Sequence, residues 1–175
     1  MQEKAFVKKN IVLIGMPGAG KSTLGVILAK ATGYRFIDTD LVIQEREGRL
    51  LQEILDTGGP IAFRRIEEEA ILSLRCRGTV IATGGSVVFG KKAMAYLKEG
   101  GVVIYLTVTF AEMEKRLSNI TTRGVVLRMG ETLREMYDER VPLYERYADI
   151  TLSCEDRPFD ECVATALREL ERFRY

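Results

Sequence analysis

The chain has 175 residues, a length typical of one domain, and 46% of them are apolar and 29% charged. Its 26 basic residues nearly balance 25 acidic ones, so no overall charge favours nucleic acid or an anionic membrane as a partner. The chain has no histidine, which excludes histidine metal ligands and histidine-based catalytic triads. The apolar run near the N-terminus is too short for a signal peptide or a membrane span.

The chain carries three scattered cysteines, Cys76, Cys154 and Cys162. Their number is odd, and no pair has the CxxC spacing. We therefore expect neither a disulfide framework nor a zinc site, and the pattern predicts the reduced thiols of a cytosolic protein.

Apolar, β-branched runs alternate along the chain with segments of helical periodicity. In chain order we predict a strand at Asn10–Ile14, a helix at Lys21–Thr32, a strand at Tyr34–Ile37, helices at Asp40–Glu47, Leu50–Asp56 and from Gly59-Pro60 to about Arg75, a strand at Thr79–Ala82, a helix at Lys91–Glu99, a strand at Gly101–Val108, helices at Phe110–Ser118 and Glu131–Tyr147, a strand at Ile150–Cys154 and a helix at Pro158–Arg172. This order predicts an α/β fold with a central parallel sheet of about five strands and helices on both faces. The irregular stretches at 84–90 and 119–129 have the length of binding loops or lids.

The segment GMPGAGKS fits the pattern G-x-x-x-x-G-K-[ST], with Gly15, Gly20, Lys21 and Ser22 at the defining positions. It follows a predicted strand and opens a predicted helix, as a phosphate-binding loop requires. Its glycines let backbone N–H groups turn toward a phosphate, and the helix N-terminus adds partial positive charge. Lys21 would reach the β- and γ-phosphates, and Ser22 would offer a hydroxyl group to magnesium. The alternative is a glycine-rich turn before an ordinary helix.

The segment FIDTD places Asp38 and Asp40 at the end of the second predicted strand, the edge where parallel sheets bind ligands. Residues two apart on an extended segment point the same way. One carboxylate could therefore hold magnesium while the other accepts a hydroxyl proton. The alternative is that Asp40 only caps the following helix.

Two further segments place candidate ligand groups near helix and strand ends. In AFRRIEEEA, Glu67 follows Arg64 by three residues, so it could hold the guanidinium group on one helical face; a solvated ion pair is the alternative. In ATGGS, Gly84 and Gly85 just past a strand allow close backbone approach to a ligand, or simply form a tight turn.

Four arginines lie around the long loop and on the late helix: Arg116, Arg123, Arg140 and Arg146. A loop arginine that closes over phosphates is a recurrent part of phosphoryl-transfer sites. The alternative is solvated surface charge.

The order P-loop, DxD, FRxxE, TGG, loop arginines and RxPLYxxxA resembles that of the shikimate kinase family along nearly the whole chain. The resemblance implies a P-loop kinase three-layer α/β/α sandwich formed by one domain, 1–175, with a substrate-binding helical segment at about 38–66 and a mobile lid at about 112–129. It implies a monomer that binds ATP and Mg²⁺, phosphorylates the shikimate 3-hydroxyl group in aromatic amino acid biosynthesis, and acts in the cytoplasm without a nucleic-acid or membrane partner.

The resemblance also assigns roles residue by residue. It implies that Ser22 and Asp38 organise the metal and that Lys21, Asp40 and Arg123 are catalytic. The implied nucleotide-binding residues are Gly15, Gly18, Ala19, Gly20, Lys21, Ser22, Thr23, Arg116, Arg123 and Arg157. The implied substrate-binding residues are Asp40, Arg64, Gly84, Gly85 and Arg140.

The chain departs from the family pattern at a few positions. Ser86 stands where the family usually has a third glycine, and Gly124 follows the lid arginine where Pro-Leu is usual. The alternatives are therefore a kinase for another anionic hydroxy acid or a nucleotide-binding homologue that has lost efficient transfer. A nucleoside monophosphate kinase uses the same loop, but the downstream motifs disfavour it.

Overall fold

The structure, a computed structural model, describes residues 9–118 and 125–173. Five strands form one sheet: β1 (Asn10–Ile14), β2 (Arg35–Asp38), β3 (Thr79–Ala82), β4 (Gly101–Thr107) and β5 (Ile150–Ser153). Seven helices accompany them: α1 (Lys21–Thr32), α2 (Thr39–Glu47), α3 (Leu51–Ser73), α4 (Lys91–Gly100), α5 (Phe110–Ser118), α6 (Leu133–Tyr147) and α7 (Phe159–Glu171). A single 3₁₀ turn, Val87–Phe89, lies between β3 and α4.

The strand order is β2-β3-β1-β4-β5, and every neighbouring pair is parallel. The central strand β1 is wholly buried, because helices cover a parallel sheet on both faces and its strands become continuous apolar runs. The register places Val12 of β1 beside Ile81 of β3 and Val103 of β4. The predicted five-stranded α/β fold is confirmed.

The two helical layers follow from the directions of the crossovers. The connection through α1 runs from β1 outward to β2, whereas the connection through α4 runs the opposite way, from β3 to β4. Right-handed crossovers in opposite directions place their helices on opposite faces of a sheet. Helix α7 contacts α1, and α3 contacts α4, which completes the two layers.

The structure differs from the predicted elements in small ways. The two helices predicted on either side of Gly59-Pro60 form the one element α3, with a kink at Gly59, whose φ is +72°. The predicted break was thus in the right place, because glycine adopts that conformation and proline tolerates the first turn of the second half. Helix α6 begins two residues later than predicted, since the Thr132 side chain accepts a hydrogen bond from the N–H of Glu135.

Two of the three cysteines lie close together in the structure. Cys154 and Cys162 have a Cα–Cα distance of 5.4 Å, and the reduced state of all three thiols stays a prediction. The first of the pair directly follows β5 and the second lies in the first turns of α7, and these two elements pack against each other. Spacing along the chain does not reveal this contact because the connection turns back on itself. Within 9–118 and 125–173, no helix is both long and apolar enough to cross a membrane.

Candidate active site

The predicted phosphate-binding loop connects β1 to α1 and wraps around its own lysine. The Nζ atom of Lys21 donates to the carbonyl oxygens of Gly15 and Met16, each at 2.8 Å. A Cβ on Gly15, whose φ is +147°, would lie 2.5 Å from the Leu106 carbonyl oxygen. Only glycine therefore fits where the loop passes the end of β4. The first turn of α1 then presents its backbone N–H groups to the loop, the arrangement that binds phosphates.

The predicted metal ligands lie together at the start of α1 and the end of β2. The Oγ atom of Ser22 donates to Oδ2 of Asp38 at 2.7 Å, while Oδ1 of Asp38 accepts the N–H of Asp40 at 3.0 Å. Magnesium prefers hard oxygen ligands and usually takes one or two from the protein, with phosphate and water oxygens completing its shell. A hydroxyl and a carboxylate oxygen at hydrogen-bond distance beside a phosphate-binding loop fit that requirement.

The same contacts correct the interpretation of the aspartate pair. Strand β2 ends at Asp38, which caps α2, so Asp40 lies in the first turn of the helix. The two residues therefore do not share one extended segment, and the helix cap is Asp38 rather than Asp40 as the alternative had it. Both carboxylates nevertheless lie at the predicted sheet edge, one turned toward Ser22 and the other toward the turn after β3.

Two arginines gather around one aromatic ring. The guanidinium carbon of Arg64 lies 3.9 Å from the centre of the Phe89 ring, and that of Arg140 lies 5.6 Å from it. Arg140 is 1% exposed, and it donates from Nη2 to the Val126 carbonyl oxygen. The Nε atoms of both arginines are buried, and neither has a hydrogen-bond partner among the described residues. Burial first, and then the charge of Arg140, lower the pKa of Arg64.

This arrangement is suited to an anion. Two guanidinium groups held close together, each with an unused donor, can bind one carboxylate from two sides, and arginine is the side chain whose fork matches carboxylate geometry. An anion placed there would also remove the mutual repulsion of the two cations. Phe89 was not among the predicted site residues, and its only signal in the sequence is an aromatic residue shortly after the glycine turn.

Glu67 has a different partner from the predicted one. Its Oε2 atom accepts a hydrogen bond of 2.6 Å from Oγ of Ser86, and among the described residues it forms no ion pair with Arg64. Glu67 is 2% exposed. Burial raises the pKa of Glu67 to about 7, the nearby charge of Asp40 raises it as well, and the Ser86 hydrogen bond lowers it.

The glycine turn after β3 lies between the phosphate-binding loop and the arginines. A Cβ on Gly85 would lie 2.9 Å from Cδ of Pro17 and 3.2 Å from Nη1 of Arg140. The Gly85 carbonyl oxygen accepts a hydrogen bond from the hydroxyl group of Tyr144, whose ring stacks on Tyr105 with centroids 5.1 Å apart. The turn therefore has room for backbone only, and α6 holds it in place.

The remaining predicted residues lie around the loop. Arg116 on α5 donates from Nη1 to the Gly18 carbonyl oxygen at 2.9 Å and from Nε to Glu112 at 2.7 Å, which places it directly beside the predicted phosphate site. Thr23 lies exposed in the first turn of α1, and Ala19 is buried in the loop. Arg157 is exposed in the segment between β5 and α7, at the sheet edge that carries the loop.

One predicted catalytic residue, Arg123, lies outside the described residues. The same holds for residues 119–124 of the predicted lid at 112–129. The described flanks of the lid are α5 and the segment from Val125 onward.

The five-stranded parallel sheet, the glycine-rich loop before α1 and the paired arginines across the glycine turn define a P-loop kinase of a small anionic molecule. The shikimate kinase family model matches residues 17–171. A shikimate kinase of Actinobacillus pleuropneumoniae is 41% identical over 166 residues, which span 93% of this chain and 95% of that protein. The chain belongs to the shikimate kinase family.

Solved structures agree with this assignment. Shikimate kinase from Acinetobacter baumannii in complex with shikimate superposes with a TM-score of 0.87 and 28% identity, over 99% of each chain. Shikimate kinase from Aquifex aeolicus superposes with a TM-score of 0.78 and 30% identity, over 93% of this chain and 96% of that one. The protein is an ATP-dependent kinase whose acceptor is an alcohol group.

Proposed function

We propose that the protein transfers the γ-phosphoryl group of ATP to the 3-hydroxyl group of shikimate and forms shikimate 3-phosphate for aromatic amino acid synthesis. The observation that carries the choice of acceptor is the pair Arg64 and Arg140 around Phe89, with unused Nε donors that suit a carboxylate. The assignment is supported by the family of the chain and by the shikimate bound to its Acinetobacter baumannii relative.

The acceptor is oriented by groups on both sides of the glycine turn. The two arginines bind the carboxylate of shikimate. The backbone of Gly84 and Gly85 lies against the shikimate ring, since nothing larger than glycine fits at these two positions. Asp40, in the first turn of α2, accepts a hydrogen bond from the reacting hydroxyl group and takes its proton as the new bond forms. Positioning of this kind supplies most of the catalysis in phosphoryl transfer.

ATP lies in the loop from Gly15 to Thr23, beside Arg116. The N–H groups at the start of α1 and the Lys21 ammonium group bind the phosphates. In the transfer, the bond between the γ-phosphorus and the bridging oxygen of ADP breaks while the bond to the acceptor oxygen forms. Arg123 and Lys21 balance the charge that spreads over the phosphoryl oxygens. Ser22 and Asp38 would hold Mg²⁺, which supplies further neutralisation of the phosphate charge.

The test is an ADP-release assay with ATP and Mg²⁺, run with shikimate, without an acceptor, and with a panel of related hydroxy acids. We expect shikimate-dependent ADP at roughly 1–100 turnovers per second. Phosphorus–proton coupling in the NMR spectrum of the product then shows which oxygen carries the phosphate. ADP release that is unaffected by shikimate, from a folded protein that binds ATP, would reject the proposal.

Asp40→Asn is the matched variant. It keeps the size of the side chain and removes the proton acceptor, so turnover should fall at least 100-fold while ATP binding persists. Full activity in this variant would remove Asp40 from the mechanism. The monomeric state and the cytoplasmic location that the resemblance implies stay predictions.

A further inference from the structure

Ser86 and Glu67 form a buried pair at the floor of the proposed acceptor site. Each is 2% exposed, and Oγ of Ser86 donates to Oε2 of Glu67 at 2.6 Å. The two residues are 19 positions apart, one on α3 and the other at the start of the 3₁₀ turn. A short hydrogen bond to a carboxylate fixes the rotation of the carboxyl group as well as its position.

The other oxygen of the same carboxyl group has no hydrogen-bond partner in the part of the chain that the structure describes. This oxygen, Oε1 of Glu67, is buried and receives no hydrogen bond from residues 9–118 or 125–173. A Cβ on Gly84 would lie 2.5 Å from Oε1 and 3.1 Å from Oδ1 of Asp40, so both oxygens face the same space beside the glycine. A buried acceptor without a donor is costly and rare in folded proteins, which points to a donor that arrives with a ligand.

We propose that Ser86 is a positioning residue: it holds the carboxyl group of Glu67 so that Oε1 accepts a hydrogen bond from a hydroxyl group of the bound hydroxy acid, next to the hydroxyl group that Asp40 receives. The inference rests on the proposed function and deepens it. In addition to the Asp40 carboxylate, the acceptor site then has a second hydrogen-bond acceptor, Oε1 of Glu67, which selects for a hydroxyl donor. Ser86, in the glycine turn, sets the orientation of that oxygen.

The charges around Glu67 determine how the pair responds to pH. Asp40 faces it from α2, Arg64 from α3 itself and Arg140 from α6. The pKa of Glu67 is already raised to about 7, chiefly by burial, and the Ser86 hydrogen bond opposes that rise. Removing the hydroxyl group therefore raises the pKa further, so that less of the carboxyl group is ionised near neutral pH.

The experiment measures kcat and KM for shikimate at saturating ATP between pH 6 and pH 9 in Ser86→Ala. We expect KM at pH 7 to rise about five- to tenfold, the size of one ordinary hydrogen bond, because the substrate contact is misaligned rather than removed, while kcat changes less. The acid limb of kcat/KM, which reports ionisation in the free enzyme, should move to higher pH. Ser73→Ala, at an exposed position near the end of α3, is the control and should match the wild-type protein in all three quantities.

A double-mutant cycle with Glu67→Gln separates positioning from a general structural effect. The side chain introduced by Glu67→Gln cannot ionise. In that background, Ser86→Ala should change KM by no more than about twofold and should leave the acid limb of kcat/KM in place. An equal effect of Ser86→Ala in both backgrounds would overturn the inference. Ser86→Cys keeps the shape of the side chain with a weaker donor and should shift KM in the same direction, so the test does not depend on the alanine variant folding.

Two failures remain distinguishable. A wild-type protein that releases no shikimate-dependent ADP rejects the proposed function itself. A wild-type protein that phosphorylates shikimate, together with unchanged KM and an unchanged acid limb in both Ser86→Ala and Ser86→Cys, overturns only the role of Ser86.

Discussion

Replacing Arg140 with methionine tests whether this arginine mainly binds the substrate carboxylate or mainly stabilises the fold. Arg140 is 1% exposed and donates to the Val126 carbonyl oxygen, and its Nε atom has no partner among the residues that the structure describes. No carboxylate among the described residues lies within 4 Å of it. Arg64 on α3 is a second cation beside it. The residue is thus suited to an anion that arrives from outside, and its charge is costly in the free protein.

The expected magnitudes follow from these contacts. Loss of one charge-assisted hydrogen bond to the substrate costs about 1.5–3 kcal/mol, which corresponds to a rise in KM for shikimate of about 10- to 150-fold. In the free protein, the Val126 carbonyl loses its partner at a cost of about 1–3 kcal/mol. Relief of the buried charge and of its repulsion with Arg64 opposes this loss. The free energy of unfolding should therefore change by less than about 2 kcal/mol.

The assay combines kinetics with denaturant unfolding, each with and without shikimate. Saturation at 100 times the dissociation constant stabilises the wild-type protein by about 2.7 kcal/mol, and Arg140→Met should lose most of that increment. Arg146→Met, on the exposed face of the same helix, controls for a change in α6. A KM within twofold of wild type would refute carboxylate binding at Arg140. A loss of unfolding free energy above about 4 kcal/mol would show that the arginine is mainly structural.

Three further predictions concern the metal site, the glycine turn and the thiols. Ser22→Ala should raise KM for ATP about tenfold and increase the Mg²⁺ concentration needed for half-maximal rate, with little effect on KM for shikimate; an unchanged Mg²⁺ titration would contradict the metal assignment. Gly84→Ala places a methyl group 2.5 Å from Oε1 of Glu67, so shikimate binding measured by calorimetry should weaken at least tenfold, and wild-type affinity would show that the site lies elsewhere. Iodoacetamide should modify all three cysteines in denatured, unreduced protein, and an intact mass with a single modified residue would show that Cys154 and Cys162 form a disulfide.

The fold could be predicted because its signals are local. The apolar run of β1 ends at the glycine-rich loop, and Gly33 ends α1 with a φ of +70°. Alternation of such strands and helices permits few sheet topologies. At two boundaries that differ from the prediction, a side chain caps the helix. Asp38 ends β2 by capping α2, and Thr132 sets the start of α6, because a cap competes with the apolar pattern that sequence analysis follows.

The site was predictable only as far as its groups follow strand ends. Asp38 and the glycine turn could be placed there because carboxyl ends of parallel strands meet at one edge. Which side chains then touch depends on packing between distant segments. Glu67 pairs with Ser86 instead of the arginine one helical turn away, and both arginines lie against the Phe89 ring. No spacing rule within one helix contains that information.

The strand order explains why the proposed donor and acceptor sites adjoin. Strands β1 and β3 are neighbours, but the helices that follow them leave toward opposite faces, so a crevice opens between their carboxyl ends. The phosphate-binding loop follows β1 and the glycine turn follows β3. Beyond β1 lie β4 and β5, whose connections carry Arg116 and Arg157 on the nucleotide side. Beyond β3 lies β2, which ends at Asp38 and leads to Asp40 on the acceptor side. Gly85 lies on the boundary between these two sides. A Cβ at this residue would lie within 3.2 Å of both Pro17 and Arg140. In the proposed complex, a side chain there would separate the two substrates, whereas the backbone alone leaves room for the γ-phosphoryl group and the acceptor hydroxyl group to meet.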